Sequence, residues 1–202
     1  SKPKPSTTTP TTVPAQVTAQ ASANDLFIDV AEKAGVDFKV GNNGKSPLTA
    51  LETLGGGCAF LDFDGDGWLD IFLVGPHKLA LYHNNGNGTF TDVTAQSGIK
   101  QEGYWQGVAV GDYDNDGKPD MLVTNFSEEA NALYHNQGEM FRDEAFPSGM
   151  GTKTLMFLAF GTGFLDYDLD GWQDMFFANG HVLDDIASYS DSVTWKQSNQ
   201  LF

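Results

Sequence analysis

Apolar and polar positions follow each other along this chain in a fixed order. An apolar run at 58–63 enters a polar cluster and a second apolar run at 69–74 leaves it. The same order returns at 107–113 and 121–124, and again at 158–167 and 175–178. Each set predicts two short, mostly buried strands joined by a polar loop. The stretches Leu81-Tyr82-His83-Asn84-Asn85-Gly86-Asn87-Gly88-Thr89-Phe90 and Leu133-Tyr134-His135-Asn136-Gln137-Gly138-Glu139-Met140-Phe141 predict two strands about a tight turn. There Asn and Gly supply the positive φ that such a turn needs. Leu26-Phe27-Ile28-Asp29-Val30 predicts one more short strand.

The polar loops are one element written three times. They read Asp62-Phe63-Asp64-Gly65-Asp66-Gly67-Trp68-Leu69-Asp70, Asp112-Tyr113-Asp114-Asn115-Asp116-Gly117-Lys118-Pro119-Asp120 and Asp166-Tyr167-Asp168-Leu169-Asp170-Gly171-Trp172-Gln173-Asp174. Their first aspartates stand at 62, 112 and 166, a period of 50 and then 54 residues. A second marker (aromatic, x, Asp, Val, polar turn, Gly) occurs at Phe27, at Phe90 and, degraded, at Phe141. A period near 40 to 50 residues with about four strands per unit is the mark of a β-propeller blade. The expected fold is therefore all-β, with units at about 25–90, 91–141 and 142–202. Asn199-Gln200-Leu201-Phe202 aligns with Asn131-Ala132-Leu133-Tyr134, which places an insertion at 183–196, read as a surface loop.

Each loop carries carboxylates at positions 1, 3, 5 and 9 and Gly at position 6. Four carboxylates on nine residues repel one another unless a cation lies between them. Hard oxygens in that number suit Ca²⁺, which takes six to eight; Mg²⁺ demands a stricter octahedron and is the weaker candidate. An EF-hand opens in the same way but needs a bidentate Glu at position 12 between helices. Position 12 here is Leu73, Val123 or Phe177, within strand patterns, so that reading fails. Position 9 (Asp70, Asp120, Asp174) is the expected closing ligand. By analogy with other Asp-rich calcium loops, the position 7 carbonyl (Trp68, Lys118, Trp172) adds a backbone ligand. Leu169 at position 4 is unusual, because Asn or Gly turns more easily.

Charge sharpens this picture. Twelve of the 27 acidic residues lie in the three loops, and three divalent cations would bring the net charge from −16 to −10. So acidic a chain has no electrostatic route to nucleic acid or to an anionic membrane. No run of 18 apolar residues occurs, so no membrane-spanning helix is expected. Residues 1–24 are rich in Thr, Pro, Ala, Ser and Gln, a composition expected to form a disordered linker. The one cysteine, Cys58, sits in an apolar run and is expected to be a buried small hydrophobe. His83 and His135 fall at equivalent places after Tyr, which argues for a structural use in each hairpin. Tyr104 and Trp105 fall outside the repeat and are candidate stacking faces for sugars.

The pattern apolar run, Asp-x-Asp-x-Asp-Gly-x-x-Asp, apolar run resembles the FG-GAP/VCBS repeats of integrin α-like propellers. The segments Gly107-Val108-Ala109-Val110-Gly111-Asp112, Asn131-Ala132-Leu133-Tyr134-His135-Asn136, Gly88-Thr89-Phe90-Thr91-Asp92-Val93-Thr94 and Phe177-Ala178-Asn179-Gly180-His181-Val182 bring it closer to the cartilage acidic protein 1 and ASPIC/UnbV family. That resemblance implies a secreted, periplasmic or surface propeller, usually seven-bladed, with Ca²⁺ in about three loops here and no catalytic chemistry. Three units do not close a propeller of 4 to 8 blades, so self-association is a further expectation. The expected role is adhesion or protein interaction. A lectin-like glycan-binding module, or the scaffold of a secreted polysaccharide-degrading enzyme, is the alternative.

Overall fold

The computed structural model describes residues 26–40, 56–100 and 102–202. The Thr/Pro-rich segment 1–24 lies outside the described residues. The chain divides into two units, Ser1–Val30 and Ala31–Phe202, and all the sheets lie in the second.

Three antiparallel sheets form from consecutive strands. The first contains β1 (Cys58–Leu61), β2 (Asp70–Gly75), β3 (Lys78–Asn84) and β4 (Phe90–Asp92). The second contains β5 (Val108–Gly111), β6 (Asp120–Val123), β7 (Ala132–Asn136) and β8 (Phe141–Asp143). The third has three strands, β9 (Ala159–Leu165), β10 (Asp174–Asn179) and β11 (Gln200–Leu201). Strand order follows chain order throughout, apart from the direction in which it is read. The registers are equivalent: Leu122 faces Leu133 across β6 and β7, and Phe176 faces Leu201 across β10 and β11. The fold is nearly all-β, as the alternating pattern required. Among the described residues one five-residue α-helix, α1 (Met150–Thr154), interrupts it.

The sheets stack like blades. β5 lies against β1 on one side and β9 on the other, so the first strands of successive sheets are neighbours. Alternation along β6 serves both interfaces. Met121 and Val123 join the core between the first two sheets, with Phe72, Val74, Leu81 and Tyr134. Leu122 joins the core between the second and third, with Leu133, Ala159 and Phe177. All four residues of β6 are buried, the mark of a strand covered on both faces.

Close approach at the first strands depends on glycine. A Cβ on Gly107 would stand 2.8 Å from the Phe160 carbonyl oxygen and 3.1 Å from Thr124 Oγ1. A second clasp joins the turn that precedes each of the first two sheets to that sheet's last strand. Phe90 N–H donates to Ala34 O at 2.7 Å, and Phe141 N–H to Ser97 O at 2.7 Å.

Three expectations need correction. Leu26–Val30 is irregular rather than a strand. Its counterparts β4 and β8 pair with β3 and β7, and no described strand pairs with 26–30. Cys58 is exposed, because alternate residues of β1 (Cys58, and Phe60 at 61%) face away from the neighbouring sheet. Trp105 is no stacking face: it is 4% exposed and sits in the core between the first two sheets.

The glycine contact makes a checkable contrast. Gly107→Ala should cost about 1–3 kcal/mol in denaturant melts, because backbone cannot yield to the added methyl. Gly163→Ala on β9, where a Cβ meets nothing within 4 Å, should be neutral or stabilising by up to about 1 kcal/mol. Equal effects would refute strand approach as the reason for Gly107.

Candidate metal centre

Each Asp-rich loop joins the first two strands of its sheet, β1–β2, β5–β6 and β9–β10. Two left-handed residues wind it. Position 4 has φ of 74° at Gly65, 57° at Asn115 and 63° at Leu169; position 6 has 89°, 86° and 91° at Gly67, Gly117 and Gly171. That geometry explains Gly at position 6, and it makes Leu169, 86% exposed, a strained residue.

Local hydrogen bonds turn the carboxylates inward. Asp62 Oδ2 accepts from Gly67 N–H at 2.9 Å, Asp112 Oδ2 from Gly117 N–H at 2.9 Å and Asp166 Oδ2 from Gly171 N–H at 3.1 Å. Position 5 is fixed by position 7: Trp68, Lys118 and Trp172 N–H donate to Oδ1 of Asp66, Asp116 and Asp170 at 2.8, 2.9 and 2.9 Å. Asp64 and Asp114 accept from Asp66 and Asp116 N–H, and Asp168 from Asp170 N–H.

The position 9 aspartates are the deepest. Asp70 and Asp120 have 0% exposure. Asp70 accepts Phe63 N–H on Oδ2 at 3.0 Å and Asn84 N–H on Oδ1 at 2.8 Å. Asp120 repeats this with Tyr113 at 3.2 Å and Asn136 at 2.8 Å. Asp174 is only half-buried and accepts from Tyr167 N–H at 2.7 Å. Burial pushes the Asp70 and Asp120 carboxyls above the ordinary 3.8, and the backbone N–H bonds pull the other way.

In every loop, oxygens of positions 1, 3 and 9 come within 4.8 Å of one another: Asp62, Asp64 and Asp70; Asp112, Asp114 and Asp120; Asp166, Asp168 and Asp174. Position 5 stands aside from that trio. In the first two loops it groups with position 3 and a histidine, as Asp64, Asp66, His83 and as Asp114, Asp116, His135. Asp170 joins no such group among the described residues. In the second loop the Lys118 ammonium pairs with Asp116 and holds its carboxyl below the ordinary range.

The histidines are site residues that sequence reasoning assigned only to hairpin structure. His83 Nδ1 lies 3.2 Å from Asp64 Oδ2 and 3.4 Å from Asp70 Oδ1; His135 Nδ1 lies 3.3 Å from Asp114 Oδ2 and 3.3 Å from Asp120 Oδ1. The signal was their repeat equivalence, but which way the ring points is set by the β3 and β7 registers. Asp62 Oδ1 and both Nδ1 atoms are buried without a hydrogen-bond partner. An all-carboxylate trio with orphaned polar atoms beside it fits a hard cation.

Neighbouring loops are tied together. Asn136 Nδ2 donates to Phe63 O in the first loop at 2.8 Å and to Pro119 O in the second at 3.2 Å; its Oδ1 accepts Gly138 N–H at 2.8 Å. Asn115 Nδ2 donates to Gly171 O in the third loop at 3.0 Å.

Stacked antiparallel meanders of three or four strands, with an Asp loop after each first strand, define a repeat protein of the propeller type. Residues 62–123, which hold two of the loops, match the FG-GAP-like repeat. The chain is 33% identical over 103 residues to human cartilage acidic protein 1, covering 49% of this chain and 13% of that protein. With the Xenopus tropicalis protein of the same name it shares 28% identity over 185 residues, 81% of this chain and 28% of the relative. The mouse protein, also named cartilage acidic protein 1, matches at 33% over 103 residues. The chain thus spans between 13% and 28% of the length of these curated relatives.

Two outcomes test the loop geometry. Leu169→Gly should stabilise the protein by about 1 kcal/mol and Gly65→Leu should destabilise it by a similar amount, read from denaturant midpoints. Opposite signs would remove the left-handed turn as the cause. The second concerns pH. With Asp70 and Asp120 raised, the metal-free fold holds protons more tightly than the unfolded chain, so acidification through the window just above 3.8 adds stability from these groups. A bound cation reverses the sign, because its ligands must be deprotonated. Acid should therefore lower the melting temperature more in calcium than in EDTA; a parallel fall in both would count against metal on these carboxylates.

Proposed function

We propose that the chain is a non-enzymatic, calcium-braced propeller scaffold that works by protein interaction outside the cytosol. The observation that carries this is the threefold recurrence of one carboxylate trio at equivalent strand ends, with two loop-to-loop hydrogen bonds between neighbours. Ca²⁺ would be held by the aspartates at positions 1, 3 and 9, with position 5 and the position 7 carbonyls of Trp68, Lys118 and Trp172 completing its shell. Its contribution is charge neutralisation of the loop. Sites of this kind in extracellular modules bind at about 10⁻⁴ to 10⁻³ M, which supports a secreted, periplasmic or surface setting. The name of the relatives, with cartilage and acidic in it, agrees with that setting and with this chain's charge of −16. No helix among the described residues is long and apolar enough to cross a membrane.

One Ser/His contact bears on catalysis. Ser127 Oγ lies 3.4 Å from His181 Nε2, and His181 Nδ1 accepts Leu183 N–H at 3.1 Å. A neutral ring then carries its proton on Nε2 and donates it toward the serine. It is not placed to take the serine's proton, as a nucleophilic pair requires.

At about tenfold excess over Kd each site adds about 1.4 kcal/mol, so three add about 4 kcal/mol, or about 10 °C in melting temperature. EDTA should remove that increment, and an unchanged melting curve would defeat the calcium reading. Asp120 is a poor probe, since its carboxylate also ties two backbone N–H groups. Asp114→Asn is the cleaner one. It should lower stability by about 1.4 kcal/mol in calcium and leave the EDTA curve in place; equal losses in both would make Asp114 a structural residue instead.

A further inference from the structure

At the ends of β6 and β10 remote from the Asp loops lies a cleft of about 560 Å³. It is built from the segment before β5, the β6–β7 connection and the 183–196 insertion. Tyr104, Phe126, Glu128, Glu129, His181 and Tyr189 are among its walls. The rings form a chain: Tyr104 to Phe126 at 6.4 Å between centroids, Phe126 to His181 at 5.4 Å, with His77 behind Tyr104 at 4.0 Å.

Two glutamates line the same cleft as these rings. Glu129 is fixed, its Oε2 accepting Tyr104 N–H at 2.7 Å. Glu128 is exposed and held at φ 71° with its N–H donating to Leu155 O at 2.8 Å. Among the described residues its carboxylate has no hydrogen-bond or ion-pair partner. A non-glycine residue held left-handed at the rim of a cleft is strain of the kind that gathers at binding sites. Among the described residues no Lys or Arg lines the cleft. His181, accepting on Nδ1, supplies no charge while its ring is neutral.

Ligand chemistry follows by elimination. An anion meets two like charges. An apolar ligand strips water from two carboxylates and returns nothing. A neutral sugar can hydrogen-bond here but leaves both charges uncompensated. An organic cation satisfies both features, pairing with carboxylate and resting on ring faces. The rim adds Leu183 at 42% and Tyr189 at 76% exposure. Such a rim suits the residues flanking a basic side chain in a polypeptide and would give a free polyamine little to rest on. We propose that this cleft binds an arginine or lysine side chain presented by a basic segment of a partner protein. The proposal deepens the interaction-scaffold reading, on which it rests, by giving the partner a chemistry and a place.

The test is an NMR titration of the whole chain in excess calcium with acetyl-Gly-Arg-Gly-amide, beside the same peptide carrying citrulline, which keeps the shape and loses the charge. Saturable shifts confined to 102–107, 124–131 and 180–196, with the citrulline peptide weaker by about tenfold or more, are expected. The double change Glu128→Gln with Glu129→Gln, and separately Tyr189→Ala, should each weaken arginine binding by about tenfold with the calcium-dependent melting shift intact. Equal binding of the two peptides, or no saturation by about 10 mM, overturns the proposal. Failure of the calcium-braced scaffold shows elsewhere, as a melting temperature indifferent to EDTA.

Discussion

Two buried carboxylates hold this architecture in register. Asp70 and Asp120 each take one N–H from position 2 of their own loop and one from the asparagine ending the third strand of the same sheet. One side chain thus closes the loop and staples it to the far end of the adjacent third strand. A charge with no exposed surface is costly unless hydrogen bonds and opposite charge offset it. The hydrogen bonds are present, and a histidine Nδ1 stands 3.3–3.4 Å from each carboxylate. The electrostatic demand of the fold and the chemistry of the loop are therefore one fact: the residue that completes the backbone is also the innermost oxygen donor.

Coupling between repeats follows from the same place. Asn136 satisfies its amide on a carbonyl of the preceding loop and a carbonyl of its own, while Asn115 reaches the following loop. With β6 buried on both faces, a displacement of one loop is felt by two sheets. The opposite strand ends carry the long connections and the 183–196 insertion. The Asp loops and the aromatic cleft lie at opposite ends of the same strands.

Much of this was legible in the residues. The alternating runs, the Asn-Gly turns and the Asp-loop period specified four short strands per unit, since each rests on local rules of pleat, turn and spacing. The two left-handed positions of the loop were legible at Gly67, Gly117 and Gly171 and, as an oddity, at Leu169. Less was legible where a side chain's surroundings come from another sheet. Trp105 looked like a free aromatic and lies in an inter-sheet core; Cys58 looked buried and faces outward. Both depend on which face of a strand the next sheet covers, which periodicity leaves open.

The sequence by itself determined the repeat, the strand-loop-strand unit and the set of hard oxygen donors, because these follow from composition and spacing within nine residues. Tertiary structure decided the rest. It brought His83 and His135 to the carboxylates through strand registers, turned Asn136 into a bridge between loops, and gathered Tyr104, Glu129, His181 and Tyr189 around one cleft. Those residues stand apart in the chain, and strand register within a sheet or packing of one sheet on the next sets the distances between them.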